Sequence, residues 1–209
     1  MTKIAIIGGG ASGLACAIEI MRTVKNKDDV KVTILERLPR VGKKILVTGN
    51  GRCNITNVNA SVENYRGDAY FTECALDKYS PQNNIEFFNS LGLYTRTEDE
   101  GRVYPLSNQA SSVLDALRFE CARLGVEIIC DYRAVHLKTV YTGVATKIIV
   151  NNRDRFDYVV VACGGMACKA HGTDGDAYDL LKMFGHKIVS PAPALVSLNC
   201  DEFTKALKG

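Results

Sequence analysis

A glycine-rich run near the start of the chain has the residue types needed to hold a phosphate group. It reads Gly8-Gly9-Gly10-Ala11-Ser12-Gly13 and satisfies the pattern G-x-G-x-x-G. In that pattern one glycine makes a tight turn, one lets a pyrophosphate approach the backbone, and one packs a helix closely on a strand. A helix that begins at Ala11 and Ser12 would present unpaired amides to the pyrophosphate without a basic side chain.

The sequence around this run supplies the strand and the helix that the pattern requires. Residues 3–7 form a short β-branched run that predicts a strand, and apolar residues recur at helical spacing from Gly13 onward. Residues 30–36 predict a second strand, which ends at Glu36. An acid at that place suits the hydroxyl groups of a ribose and disfavours a 2′-phosphate. The alternative is a solvated acid at the end of a strand.

A long insertion separates the second strand from the next one. A plain nicotinamide-binding domain would continue with a short crossover helix, because connections of a few residues are usual. Here residues 37–125 intervene, with helical patterns at about residues 81–91 and 111–124. The next strand is predicted at residues 126–130.

The following segment combines a meander with a return to the central sheet. Residues 133–140, 144–150 and 155–158 predict three short strands that are separated by turn residues. Residues 159–162 are fully apolar, which is typical of a buried parallel strand.

A last helix is predicted at residues 175–184, with Thr173 and Asp176 spaced as a capping box and Gly185 as its end. The elements together predict an α/β fold. This fold is a Rossmann-like dinucleotide-binding domain with a parallel central sheet and a three-stranded β-meander.

Composition excludes several classes of protein. Of 209 residues, 46% are apolar and 23% are charged, as in a globular domain with a sizeable core. The net charge of +3 is too mild to predict nucleic acid as a partner, and no apolar run is long enough to predict a membrane span. Eight cysteines without a C-x-x-C pair predict reduced thiols in the cytoplasm, and neither disulfides nor a metal site.

Four segments of the chain resemble one family. They are residues 42–57, which run from Gly42-Lys43-Lys44 to Gly51-Arg52-Cys53-Asn54 and Asn57, and residues 101–107, 157–165 and 172–178. These segments resemble the bacterial FAD-binding oxidoreductases described as aminoacetone oxidase-like or bile-acid reductase-like, which share the fold class of glutathione reductase. The resemblance covers nearly the whole chain. Cys163, Ala177 and the lack of a proline shortly after Gly165 depart from the family's pattern.

The resemblance implies that FAD is the cofactor. It places Arg52, Cys53 and Asn54 against the flavin, Lys43 and Lys44 nearby, and the main chain of Ala134 beside the adenine. With the glycine run, the predicted cofactor-binding residues are Gly8, Gly10, Ala11, Ser12, Gly13, Glu36, Arg37, Lys43, Lys44, Gly51, Arg52, Cys53, Asn54, Ala134, Ala162 and Gly164.

The sequence names no catalytic acid or base. Cys53 beside a flavin could be redox-active, but it lacks a resolving cysteine at C-x-x-C spacing, so packing or backbone placement is favoured. His171 and Tyr104 are candidates for contact with substrate or flavin, with aromatic packing as the alternative for Tyr104. His136 is interpreted as a surface residue of the meander and His186 as a cation at a helix end.

The resemblance also implies an activity. We expect an FAD-dependent oxidoreductase that transfers electrons or hydride between a nicotinamide or small organic substrate and an acceptor, with NAD(P)H as a candidate donor. Similar proteins continue into an inserted substrate domain and then return with a final strand. Residues 1–190 are therefore expected to be an incomplete FAD-binding domain and residues 191–209 the start of the inserted domain. Two alternatives stay open, namely an inactive FAD- or ADP-binding fragment and a nicotinamide-binding dehydrogenase domain.

Overall fold

The computed structural model of the chain describes residues 1–194. The strands in this part are β1 (Thr2–Ile7), β2 (Val30–Leu35), β3 (Thr56–Asn57), β4 (Thr95–Thr97), β5 (Arg102–Pro105), β6 (Glu127–Ile129), β7 (Leu137–Tyr141), β8 (Thr146–Val150), β9 (Asp154–Phe156) and β10 (Tyr158–Val161). The α-helices are α1 (Ala11–Thr23), α2 (Glu73–Lys78), α3 (Pro81–Ser90), α4 (Ala110–Arg123) and α5 (Asp176–Lys182).

A parallel sheet of four strands forms the centre of the fold, in the order β10-β1-β2-β6. Ile6 of β1 pairs with Ile34 on one side and Val160 on the other. The β-branched content of β1 and β2 favours this extended pairing, and the last four residues of β2 are buried. The predicted Rossmann-like fold with a parallel central sheet is confirmed.

Strand β10 differs from its prediction. The apolar run predicted a fully buried strand, but β10 lies at one side of the sheet, and no strand within residues 1–194 pairs with its outer edge. Tyr158 is 63% exposed and the other three residues are half-buried. An apolar strand does not reveal by itself how many neighbours will cover it.

Helices α1 and α4 pack against one face of the sheet. Leu14 and Ile18 from α1 lie in the same core cluster as Leu117 and Cys121 from α4, with Ile34 of the sheet. Each of these side chains is almost fully buried. Burying a Leu or Ile side chain stabilises a protein by roughly 1.5–3 kcal/mol, so this contact attaches the long insertion firmly to the unit of β1, α1 and β2.

The predicted meander is confirmed and covers the opposite face. Strands β7, β8 and β9 form an antiparallel sheet in that order. Leu137, Val150 and Phe156 of this sheet pack with Ala5 and Leu35 of the central sheet in a second core cluster.

The insertion contains helices close to the two predicted ranges, α3 and α4, and a small antiparallel sheet that was not predicted. The order of that sheet is β3-β5-β4. Its strands have two to four residues, which is too short for an alternating pattern to appear in the sequence. The helix α2 was missed because its six residues are too few to show a helical period.

The predicted capping box at α5 is wrong. Gly175 is the N-cap residue, in a left-handed conformation, and no side chain caps the helix. The Thr173 hydroxyl donates instead to the backbone carbonyls of Ala167 and Cys168. The helix is followed by Gly185 with a φ of +78°, as expected for a residue that ends a helix.

No helix within residues 1–194 has both the length and the apolar character needed to cross a bilayer. The expected start of a second domain at residues 191–209 lies mostly outside the described residues.

Candidate dinucleotide-binding cleft

A cleft of about 430 Å³ opens where β1 and β2 end and α1 begins. Ligands of open α/β sheets bind at the carboxyl ends of the strands, so its position is the one that the fold favours. The predicted site residues that line it are Gly8, Gly10, Ala11, Ser12, Glu36, Arg37, Lys43, Lys44, Cys53, Asn54, Ala134, Ala162 and Gly164. Gly13, Gly51 and Arg52 were also predicted, and they do not line it.

The three pattern glycines differ in what a side chain at each position would meet. Gly8 has a φ of +110°, and a Cβ there would lie 2.5 Å from the carbonyl oxygen of Ala162. A Cβ on Gly13 would lie 1.9 Å from the carbonyl oxygen of Gly8, so Gly13 lets the helix pack on the strand. A Cβ on Gly10 would meet nothing within 4 Å, because Gly10 borders the open cleft. The amides in the first turn of α1 have no partner within the helix.

The carboxylate of Glu36 joins the end of β2 to the glycine turn. Its Oε2 accepts the amide hydrogen of Gly9 at 2.7 Å, and its Oε1 accepts that of Leu38 at 2.8 Å. Glu36 is only 8% exposed, and it lines the cleft. It is therefore not a freely solvated acid at the end of a strand. Its contact with a ribose stays a prediction.

Arg37 closes one end of the cleft through ion pairs. Its Nη1 lies 2.6 Å from Asp174 and 3.0 Å from Asp176, and Arg133 also pairs with Asp176 at 2.7 Å. The hydrogen bond from Arg37 lowers the pKa of Asp174. The pairs of Arg37 connect the end of β2 with the start of α5 and the residues just before it.

Two buried polar atoms on residues that line the cleft have no hydrogen-bond partner among the described residues. They are Nε of Arg37 and Nδ1 of His171. Both residues line the cleft, and a Cβ on the adjacent Gly172 would lie 4.0 Å from Arg37 Nε. Leaving such a group unpaired costs about 1–3 kcal/mol, so a bound polar ligand would stabilise this wall.

Basic residues border the cleft after β2. Lys44 lines the cleft and donates from Nζ to the carbonyl oxygen of Ala167 at 3.2 Å, which links the segment after β2 to the segment after β10. Lys43 lines it without a hydrogen bond or ion pair to another described residue. Arg40 also lines the cleft and was missed, although its position in the basic segment that contains Arg37 and Lys43 was a visible signal.

The Gly- and Asn-rich loop, residues 49–57, reaches the cleft through residues with unusual backbone angles. Gly49, Asn50, Gly51 and Cys53 all have φ between +54° and +81°. Cys53 is 8% exposed, and this burial raises the pKa of its thiol, against the opposing effect of a hydrogen bond with Thr48. Cys53 is therefore a protonated packing residue near neutral pH, which argues against a thiolate at this position.

Arg52 turns away from the cleft. It donates from Nη2 to both oxygens of Glu98 at 2.6 Å, and its guanidinium lies 3.9 Å from the ring centroid of Tyr104. Tyr104 is 7% exposed beneath it and does not line the cleft, which agrees with aromatic packing.

Ala134, Ala162 and Gly164 complete the walls. The amide of Ala162 donates to the carbonyl of Ile7 at 2.8 Å and so continues the pairing of β10 with β1. Cys163 donates its thiol hydrogen to the same carbonyl at 3.4 Å, and burial raises its pKa to about 11. His136 is half-buried and His186 is exposed, and neither lines the cleft.

The described residues fit a dinucleotide. A side chain at Gly8 would collide with the backbone, the surface at Gly10 is free for a close approach, and two cleft-lining residues, Arg37 and His171, each carry a buried polar atom without a hydrogen-bond partner. Apolar residues such as Ile45, Val113 and Leu117 form the inner wall. Within residues 1–194, no group of three or more His, Cys, Asp or Glu side chains is arranged to hold a metal ion. Fold and cleft define a Rossmann-type domain for an FAD-like dinucleotide.

Comparison with known proteins identifies the family. The family model described as "HI0933-like protein Rossmann domain" matches residues 2–202. The chain belongs to this family. The resemblance found in the sequence is thereby confirmed.

Individual relatives cover the chain almost completely. The 3-dehydro-bile acid delta(4,6)-reductase of Clostridium scindens is 42% identical over 99% of this chain and 50% of its own length. The ribosomal RNA dihydrouridine synthase of Haemophilus influenzae is 26% identical over 98% of this chain and 51% of its own length. The chain thus spans about half the length of these curated relatives.

Solved structures agree on the fold. Thermovibrio ammonificans THI4 superposes with a TM-score of 0.55 at 18% identity, covering 89% of this chain and 64% of that chain. A flavocytochrome c3 fumarate reductase superposes with a TM-score of 0.50 at 17% identity, covering 78% of this chain and 34% of that chain.

Proposed function

We propose that this chain binds FAD in the cleft and forms the flavin-holding part of an oxidoreductase. The observation that carries the proposal is the turn of residues 8–13 at the start of α1, which opens into a cleft with Glu36 at its edge. FAD would supply the redox chemistry when bound, and the residues of the chain would hold and orient it.

Each part of the cleft has a role in this proposal. The first-turn amides of α1 and the bare surface of Gly10 would hold the pyrophosphate, and Glu36 would hold ribose hydroxyl groups. The main chain of Ala134 would border the adenine. Cys53 and Asn54 would present backbone to the ring system, with the buried apolar residues behind them excluding water.

The proposal extends to the reaction partners. We propose NADH or NADPH as the electron donor and a small organic compound with a carbon–carbon double bond conjugated to a carbonyl group as the acceptor. The name of the 42%-identical relative supports this acceptor class. Ribosomal RNA is the rival substrate, suggested by relatives of 26% and 24% identity, and the mild net charge of +3 disfavours it. We also propose a cytoplasmic location, which the free cysteines among the described residues support.

FAD binding can be tested on the purified chain. The apoprotein is titrated with FAD while flavin fluorescence and visible absorbance are followed, and the titration is repeated in competition with NADH and with ADP. We expect saturable binding of FAD that ADP weakens. Tighter binding of NADH than of FAD would favour the nicotinamide-binding alternative and contradict the proposal.

The donor and acceptor are tested separately. NADH and NADPH are added without oxygen to the FAD-loaded chain, and the oxidised flavin absorbance is followed. A steroid enone and a uridine-containing RNA are then offered to the reduced protein. We expect bleaching by a nicotinamide and reoxidation by the enone. Reoxidation by RNA alone would contradict the proposed acceptor. FAD binding without any turnover would favour the fragment alternative.

A further inference from the structure

Arg52 belongs to the Gly- and Asn-rich loop, but its side chain contacts Glu98, Asn108 and Tyr104. Its neighbours in sequence, Cys53 and Asn54, line the cleft, and Arg52 does not. The family resemblance implied a cofactor contact for Arg52. The structure gives the guanidinium three partners on the small sheet β3-β5-β4 and its flanking turns, namely Glu98, Asn108 and Tyr104.

These partners hold Arg52 from three directions. Nη2 donates to both oxygens of Glu98 at 2.6 Å, Nε donates to Oδ1 of Asn108 at 3.0 Å, and the guanidinium stacks 3.9 Å from the centroid of Tyr104. Arg96 donates to the same Glu98 at 2.7 Å and so fixes the acceptor. A guanidinium is well suited to this geometry because it can stack and donate from several nitrogens at once.

The backbone of the loop adopts an unfavourable conformation that other contacts must stabilise. Cys53 has a φ of +61°, in a region of backbone conformation that residues other than glycine seldom adopt. Its amide donates to the carbonyl of Thr48 at 3.0 Å, and the amide of Arg52 donates to that of Gly49 at 3.1 Å. Beyond the loop, the amide of Ile55 donates to Val103 of β5 at 2.9 Å. The loop is thus fastened at its end, and Arg52 is the side chain that fastens its middle.

We infer that Arg52 and Glu98 are positioning residues, which act through the backbone of Cys53 and Asn54 to shape the wall that faces the flavin. This inference deepens the proposed function and rests on it. It assigns Arg52 no direct contact with the cofactor, in contrast to the expectation from the sequence.

Four variants of the 209-residue chain test the inference. They are Arg52→Ala, Arg52→Lys, Glu98→Gln and the double variant Arg52→Ala/Glu98→Gln. Arg102→Ala is the matched control, because Arg102 lies in the same sheet and pairs with the exposed Glu100 at 3.1 Å. Hydrogen exchange of the Cys53 amide in the apoprotein, FAD affinity and the absorbance of bound FAD are measured.

We expect Arg52→Ala to speed exchange at Cys53, to leave exchange within α1 unchanged, and to weaken FAD binding by about tenfold. Glu98→Gln should act in the same direction, and the double variant should be no worse than Arg52→Ala, because the two residues form one unit. Arg52→Lys should also show faster exchange at Cys53 and weaker FAD binding. An ammonium group cannot stack on the Tyr104 ring while it donates hydrogen bonds to both Glu98 and Asn108. Arg102→Ala should behave like the wild type.

Other outcomes overturn the inference. If Arg52→Ala leaves exchange at Cys53 unchanged while FAD binding weakens, Arg52 acts on the cofactor without positioning the loop. If the effects of the two single variants simply add, Arg52 and Glu98 do not act as one unit. Unchanged FAD affinity in Arg52→Ala would also overturn it. Failure of the wild type to bind FAD would contradict the proposed function instead, and exchange at Cys53 would still report whether Arg52 holds the loop.

Discussion

Glu36 and Gly9 lie 27 positions apart in the chain, and the carboxylate of one accepts the amide hydrogen of the other at 2.7 Å. This bond joins the end of β2 to the turn that precedes α1. It is buried, so it is protected from competition with water. The same acid that is predicted to bind a ribose therefore also shapes the turn that is predicted to bind the pyrophosphate.

Replacing Glu36 tests both roles. We expect Glu36→Gln to weaken FAD binding by about tenfold, because a hydrogen bond to a charged group contributes about 1.5–3 kcal/mol and the amide cannot accept with both of its terminal atoms. Fluorescence titration with FAD measures the effect. Glu19→Gln, at an exposed position on α1, is the control and should bind like the wild type. Equal affinity in all three proteins would show that Glu36 has no part in binding.

Gly8 and Gly10 allow folding and binding to be separated. Gly8→Ala should destabilise the apoprotein by several kcal/mol, because its φ is +110° and the new Cβ would lie 2.5 Å from a backbone oxygen. Gly10→Ala should leave stability within about 0.5 kcal/mol, since nothing lies within 4 Å of the new methyl group, but it should weaken FAD binding by narrowing the cleft.

Urea unfolding and FAD titration of the two glycine variants provide the measurements. The expected result is a stability loss in Gly8→Ala and an affinity loss without a stability loss in Gly10→Ala. Wild-type affinity in Gly10→Ala would place the pyrophosphate away from this turn.

Local patterns were sufficient to predict most of the fold. The strand of residues 3–7, the helix that follows it, and the helix near residues 111–124 each carry a periodicity that leaves few alternatives. The edge position of β10 and the three-stranded sheet of the insertion were not predictable in this way. Both depend on which distant segments pair as strands, and the residue types of a short strand do not determine its pairing partner.

The candidate site shows the same division. The glycine run was predictable because its spacing is visible in the sequence, and a Cβ at Gly8 or at Gly13 would collide with the backbone. The ion pairs of Arg37 with Asp174 and Asp176 join residues more than 130 positions apart, and they depend on the completed fold. Arg52 was predicted to touch the flavin, and its distant partner Glu98 gave no signal in the sequence.

His171 offers a test of the unpaired atoms in the cleft. Its Nδ1 is buried without a partner on a wall that it shares with Arg37. We expect His171→Ala to weaken FAD binding several-fold. If bound FAD forms a hydrogen bond with Nδ1 of His171, the alanine variant cannot form that bond. His186→Ala is the control, since that histidine is exposed and lies outside the cleft. Isothermal calorimetry would measure both variants. Identical affinities for FAD would exclude His171 as a contact.

The ion cluster that joins α1 to α4 should make stability depend on pH. Arg22 and Arg123 each donate two hydrogen bonds to Glu120, which is 8% exposed. The bonds from Arg123, followed by those from Arg22, lower its pKa from 4.5 to about 2. Because the pKa of Glu120 is lower in the folded protein than in the unfolded chain, its ionised carboxylate contributes its full stabilisation at pH values above the unfolded-state pKa. This contribution is lost as the pH falls from about 4.5 to 2.

The variant Glu120→Gln should therefore lower the free energy of unfolding by about 2 kcal/mol at neutral pH. Because protonation of the wild-type carboxyl removes the same interaction, less than about half of that difference should remain near pH 3. Urea unfolding at the two pH values measures both quantities. Asp115→Asn removes the exposed pair with Arg118 on the same helix and should change stability by less than about 0.5 kcal/mol. A difference between wild type and Glu120→Gln that stays constant down to pH 3 would contradict the lowered pKa and would trace the loss to packing.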